Sequence, residues 1–225
     1  MVSVEKPKGL CGGVIIKKNI VLTAAHCTLV KKSLLVIPGS LDVDDIFARD
    51  HAQRVDQSDI TRHPDFKTLP SGNLVYDVAI LRVKKDFEIG KFVNTIKLAT
   101  DDHIGQRAFV LGWGITKHTQ KYSDLLRRAG LTILSAKQCK EEFMTTPKNK
   151  ITNSMLCAIH PQREQTTCEG DSGGPLIIPN GKGPHDDELV GIVSWGNCNP
   201  FYPAVFARIS AMRSWIVNTA GIEDK

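Results

Sequence analysis

The segment Cys168-Glu169-Gly170-Asp171-Ser172-Gly173-Gly174-Pro175 sets three glycines around one Asp-Ser pair, just before an apolar run. Such a setting suits a nucleophilic serine. The backbone must come close to a substrate carbonyl, and two N–H groups must aim where an oxyanion forms. Gly170 and Gly173 permit the approach and any unusual dihedrals, and Gly170 and Ser172 can donate the two N–H groups. A serine hydroxyl is a poor nucleophile at neutral pH, so Ser172 also needs a base, and the base needs an orienting group. Two further segments offer them. In Leu22-Thr23-Ala24-Ala25-His26-Cys27 an apolar strand runs into a histidine. In Tyr76-Asp77-Val78-Ala79-Ile80-Leu81-Arg82-Val83 an aspartate opens a strand too apolar to hold a carboxylate unless that group is hydrogen-bonded. Taken singly, the histidine reads as structural and the aspartate as a strand-entry turn; with Ser172 they make base, orienter and nucleophile.

The elements that must position these groups are mostly strands. Short β-branched runs separated by turn residues predict an all-β sandwich or barrel: Val14 to Ile16, Ile20 to Thr23, Leu34 to Ile37, Val78 to Val83, Ala108 to Leu111, Leu131 to Leu134, Leu176 to Ile178, Leu189 to Val193 and Ala204 to Ile209. Helical signals occur at two places. Ser135 followed by Gln138 is a capping-box start for a short helix through Phe143. Ile209, Met212, Trp215, Ile216 and Thr219 line one face of a C-terminal helix that Gly221 can end. The polar stretch Thr100 to Gln106 is the best boundary, predicting one small barrel in 1–105 and another in 106–225.

Composition narrows the class further. Of the 225 residues, 41% are hydrophobic and 24% charged, ordinary values for a chain with a real core. No apolar run approaches the roughly 18 residues of a membrane span. The net charge of +5 is spread along the chain. Its densest basic group, Lys117, Lys121, Arg127, Arg128, Lys137 and Lys140, reads as a solvated face, without the interleaved aromatic rings of single-strand binders. Neither a nucleic acid nor a membrane is expected as a partner. Six cysteines with no C-x-x-C pair fit disulfides in an oxidising compartment better than zinc, and leave 15 pairings open. Met1 to Val14 holds no apolar signal region. Asp42, Asp44, Asp45 and Asp50 lack a calcium-loop pattern and read as a solvated loop, while His51, His63, His103, His118, His160 and His185 read as surface residues. No metal or other cofactor is expected, and there is no N-x-S/T glycosylation site.

From Cys11-Gly12-Gly13 to the Trp215 helix, the three segments, Gly112-Trp113-Gly114 and Ser194-Trp195-Gly196 resemble the chymotrypsin-fold serine endopeptidases of the trypsin-like superfamily. The order His, Asp, Ser is that family's order. The resemblance implies two packed six-stranded antiparallel β-barrels with a C-terminal α-helix and the site in the cleft between them. It assigns His26 as general base, Asp77 as holder of its tautomer and Ser172 as nucleophile, with the oxyanion hole from Gly170 and Ser172. It pairs Cys11 with Cys27, Cys139 with Cys157, and Cys168 with Cys198.

For substrate binding the resemblance points to Thr166, where trypsin-like members that cut after Lys or Arg carry an aspartate. Gly196 and Ala204 match the pocket walls, and the backbone of Ser194, Trp195 and Gly196 matches the strand that pairs with a peptide substrate. An open, uncharged pocket implies cleavage after apolar residues, although the bulky run Asn199 to Pro203 makes its rim atypical. Active members begin with a free apolar residue whose ammonium pairs with the aspartate before the serine. Here that aspartate is Asp171, and Met1 reads as an internal methionine of a shortened chain, which predicts low activity for this chain. The implied enzyme is a secreted, extracellular, monomeric protein made as a zymogen, acting on proteins or peptides and meeting protein protease inhibitors. A non-catalytic homologue acting as a binding protein is the alternative. A lipase or esterase is disfavoured because those enzymes carry their residues in the order Ser, Asp, His.

Overall fold

A computed structural model of the chain describes residues 1–116, 120–144, 150–181 and 186–223; Lys117, His118 and His185, named above, lie outside them. The strands gather in two barrel-like sheets. The first contains β1 (Val2–Lys6), β2 (Gly9–Lys17), β3 (Ile20–Thr23), β4 (Leu34–Pro38), β5 (Gln53–Val55), β6 (Ile60–Arg62) and β9 (Ala79–Arg82), in the order β5-β4-β1-β2-β3-β9-β6. Two short strands, β7 (Lys67–Thr68) and β8 (Leu74–Val75), make a separate ribbon. The second sheet contains β10 (Lys97–Leu98), β11 (Arg107–Gly112), β12 (Arg127–Leu134), β13 (Met155–Ile159), β14 (Pro175–Ile178), β15 (Glu188–Trp195) and β16 (Ala204–Arg208), with β15 and β16 closing on each other. The expected two-barrel all-β fold with a C-terminal helix is borne out. Each sheet counts seven strands rather than six, because short edge segments such as β10 also pair, that one parallel to β15.

Three α-helices complete the described residues: α1 (Ile46–Asp50), α2 (Ala136–Glu142) and α3 (Ile209–Ala220). Ser135 and Gln138 form the expected reciprocal capping box of α2. Gly221 ends α3 in the left-handed region, φ 62°, where glycine carries no Cβ penalty. The stretch read as a solvated acidic loop instead holds α1. Its N-cap Asp45 accepts from the N–H groups of Phe47 and Ala48, a capping bond that sequence periodicity over five residues is too short to reveal. His63, read as a surface residue, is buried between the rings of Tyr76 and Trp215, at centroid distances of 4.8 and 4.7 Å.

The sheets meet where the serine segment sits. Gly12 N–H donates to Ser172 C=O at 2.7 Å. The main chains touch so closely that a Cβ on Gly12 would lie 2.8 Å from Gly174 Cα. Gly173 adopts φ +80°, and a Cβ there would lie 2.3 Å from Thr23 Oγ1. Side chains at these positions would pry the barrels apart. One apolar core fills the first sheet and continues through Leu189, Ile192 and Ala207 of the second to Ile209, Met212 and Ile216 of α3, so burial ties the helix to both barrels.

Candidate active site

Strand register brings the first two groups together. Thr23 of β3 pairs with Ala79 of antiparallel β9, so His26, three residues beyond Thr23, and Asp77, two before Ala79, leave the same end of the ladder. His26 stands in a single 3-10 turn, Ala25–Thr28. The Cys11–Cys27 disulfide fastens one side of that turn to β2. On the other side Arg62 donates to Thr28 Oγ1 and to Thr28 C=O, both at 2.6 Å. The sulfurs of Cys11 and Cys27 lie close to the His26 ring, but they are bonded to each other and offer no thiolate to a metal.

Asp77 is 1% exposed, and the apolar strand it opens tolerates it because three donors meet its oxygens. His26 N–H gives to Oδ1 at 2.9 Å, His26 Nδ1 to Oδ2 at 2.7 Å, and Ser194 Oγ to Oδ2 at 2.6 Å. These three bonds meet the hydrogen-bonding demand of the buried carboxylate. With Nδ1 donating to it, the neutral imidazole presents Nε2 as its acceptor. Tyr76, at φ 51°, makes the bend that aims Asp77 inward.

The serine half is built differently. Asp171 N–H donates to Cys168 C=O at 3.1 Å, Gly173 N–H to Val193 C=O at 2.8 Å and Gly174 N–H to Asp171 C=O at 2.9 Å. Between them, the N–H groups of Gly170 and Ser172 have no acceptor among the described residues. Ser172 Oγ likewise has no hydrogen-bond partner there, His26 included, although a Cβ on the adjacent Gly173 would lie 3.2 Å from Ala24 N, two residues before His26. Asp171 turns away from the serine. Its oxygens accept from Gly114 N–H at 2.8 Å and Cys168 N–H at 2.9 Å, and no cation pairs with it among the described residues. Burial raises its carboxyl above the ordinary carboxylate range, opposed by those two bonds. The spacing of Gly112-Trp113-Gly114 now has a cause: a Cβ at either glycine would lie 1.8 or 2.3 Å from an Asp171 oxygen.

Thr166 lines a cavity of about 1070 Å³ together with Asp171, Glu164, the Cys168–Cys198 bridge and Phe201. Gly196 is exposed, and a Cβ on it would meet only Thr167 Oγ1, at 3.7 Å; Ala204 is buried. The third bridge, Cys139–Cys157, joins α2 to β13. Two contacts escaped sequence reasoning. The Ser194 hydroxyl reaches Asp77 across the barrel interface, and the Tyr122 ring covers Gly170, whose Cβ would lie 2.8 Å from it. Ser194 reads from the sequence only for its backbone, and Tyr122 carries no local pattern; the partner of each is set by the packing of distant segments.

A two-barrel β protein with a buried aspartate holding a histidine, and a glycine-lined serine where its sheets meet, fits a class of hydrolase. The sequence profile of the trypsin family matches residues 1–216. The chain is 34% identical over 211 residues to a vitellin-degrading protease of Bombyx mori, covering 92% of this chain and 74% of that protein. It is also 34% identical over 220 residues to glandular kallikrein-10 of Rattus norvegicus, covering 92% and 79%. Among solved structures it superposes on neuropsin, a serine protease of mouse brain, with a TM-score of 0.79 and 28% identity, covering 97% of this chain and 93% of that one. The chain belongs to the trypsin family of serine proteases. It is a serine endopeptidase, a family that acts on protein substrates.

Proposed function

We propose that this endopeptidase works through an acyl-enzyme with Ser172 as nucleophile, His26 as general base and Asp77 as orienter. The observation that carries the reading is the buried Asp77 carboxylate fixing Nδ1 of His26. Ser172 Oγ attacks the scissile carbonyl while its proton passes to His26 Nε2. The oxyanion takes the N–H groups of Gly170 and Ser172, which have no acceptor among the described residues. His26 then returns the proton to the leaving amine, the C–N bond breaks, and water repeats the sequence on the ester. Asp171, beside the nucleophile, is the carboxylate that receives an ammonium in the active form.

Cleavage after Phe, Tyr, Leu or Met is favoured, because Thr166 offers no charge and Gly196 leaves the wall open. At Thr166 itself an ammonium or guanidinium would lose its water and find no carboxylate to pair with. The edge of Ser194, Trp195 and Gly196 beyond the last β14 pairing, Pro175 with Ile192, supports backbone pairing with substrate. We also infer one barrel domain in 1–105, whose last strand β10 crosses to pair with β15, and another in 106–225, and a secreted, extracellular monomer made as a zymogen and met by protein inhibitors. Three disulfides in one chain support an oxidising compartment. A fluorophosphonate probe tests the site. It should label the activated wild type on Ser172 and leave Ser172→Ala unlabelled and inactive; labelling that survives the substitution removes the assignment. A peptide library tests specificity, and a dominant Arg preference would transfer the role to an acid such as Glu164 in the cavity.

A further inference from the structure

On the β4–β5 flank of the first sheet, away from the β3–β9 end that carries His26, lies a second groove of about 680 Å³. One wall belongs to α1 and the segment before it, the other to residues 85–93. Leu41, Phe47 and Phe92 line it at 59%, 83% and 65% exposure, far more than an apolar core element shows. The groove is built rather than splayed. The Gln53 side chain exchanges two hydrogen bonds with the Lys85 backbone, at 2.8 and 3.0 Å. The walls close at Gly39, φ +75°, where a Cβ would lie 2.9 Å from Val93 Cγ2, and Asp45 caps α1.

Asp50 on one wall and Asp86 and Glu88 on the other have no hydrogen-bond or ion-pair partner among the described residues. They stand on a chain of net charge +5. Burying a carboxylate without a partner is costly, so whatever covers the apolar rings must bring cations to both walls. A second copy of the chain meets that demand poorly, because a twofold contact would bring three such carboxylates against only Lys85 of the lining and Lys91 beside Phe92. Phe92 already accepts an ammonium on its face: Lys91 Nζ lies 5.3 Å from the ring centroid.

We propose that this groove docks an extended basic segment of a partner protein, apolar side chains against Phe47, Leu41 and Phe92 and Lys or Arg toward Asp50, Asp86 and Glu88. Such a site would recruit a substrate or regulator independently of the residues at the scissile bond.

The test uses the full chain carrying Ser172→Ala, so that binding is read without turnover and its outcome is separate from that of the Ser172 labelling experiment. The probe is a dye-labelled, end-capped eight-residue peptide alternating leucine and arginine, followed by fluorescence anisotropy. It should bind, and binding should weaken as salt is raised. Phe47→Ser with Phe92→Ser should weaken it by about tenfold or more, and Asp50→Asn with Asp86→Asn and Glu88→Gln by about tenfold, with the salt dependence reduced. Peptides alternating leucine with glutamate or with serine should bind at least about tenfold less well. All five positions are exposed, and equal urea midpoints check that the variants remain folded. The proposal is overturned if the leucine-arginine peptide does not bind, if both variants bind it as the parent does, or if the serine peptide binds equally. It is also overturned if sedimentation shows a dimer that the two Phe substitutions dissolve.

Discussion

The two halves of the active site are held in opposite ways. Around Asp77 every bond is made within the protein: two from His26 and one from Ser194 converge on a carboxylate sealed from water. Around Ser172 the bonds are left open: among the described residues the N–H groups of Gly170 and Ser172 have no acceptor and the hydroxyl no partner. In the proposed mechanism Asp77 does one fixed thing throughout, holding His26, so a closed network serves it. The proposed nucleophile and oxyanion donors must instead accept atoms that arrive with substrate. Their positions are therefore set by what lies behind them, the Asp171 carboxylate on Gly112 and Gly114 and the Gly12 bond to Ser172 C=O.

Breaking the closed half should have the largest effect. Asp77→Asn keeps the shape, but its amide offers a donor where His26 Nδ1 now donates, favouring the wrong tautomer. A loss of about 10⁴ in kcat is expected with the fold retained, measured by burst kinetics on an activated sample; a loss below tenfold would mean that the tautomer is set elsewhere. The open half should respond to a change that never touches substrate. Gly114→Ala puts a Cβ 2.3 Å from an Asp171 oxygen, so the carboxylate must move and the oxyanion donors with it. A fall of about 10² to 10³ in kcat is expected, and wild-type turnover would refute the proposed support.

Ser194→Ala sharpens the comparison, since it removes one of the three donors on Asp77 and leaves the two from His26. About 1.5 to 3 kcal/mol of stability should be lost, as for a hydrogen bond to a charged group, with kcat reduced only about tenfold. A larger loss in kcat than Asp77→Asn would invert the ranking of the bonds.

The smallest effect concerns the support of the closed half. His63 lies against Tyr76, the neighbour of Asp77, and burial lowers its pKa, with Asp65 partly opposing. Above the ordinary imidazole value, about 6.5, folded and unfolded states are both neutral and the stability is fully present. As pH falls below it, the unfolded chain takes a proton that the folded one resists, and stability is lost. His63→Phe keeps a ring in the stack and should flatten the decline of urea midpoint between about pH 7 and pH 5. Parallel declines in both proteins would assign the acid sensitivity to other groups.

Much of this site was legible in the chain because its signals are local. Gly170-Asp171-Ser172-Gly173 is dense in residues that only close backbone approach requires, and the apolar run after Asp77 made its carboxylate conspicuous. The strands that carry them followed from β-branched runs, and α2 and α3 from their caps. By contrast, α1 is too short to show a period, and the buried stack of His63 with Tyr76 and Trp215 joins residues from three separate parts of the chain.

By itself the sequence determined the residue types of the site, their order and the all-β elements that bear them, since each depends on neighbours within a few positions. Tertiary structure alone decided that Ser194 completes the shell of Asp77, that Gly112 and Gly114 make room for Asp171, and that Gly12, Gly173 and Gly174 let the barrels touch. Those facts depend on which atoms meet across large separations in the chain. The free space at a glycine or the partner of a hydroxyl exists only once the two sheets have packed.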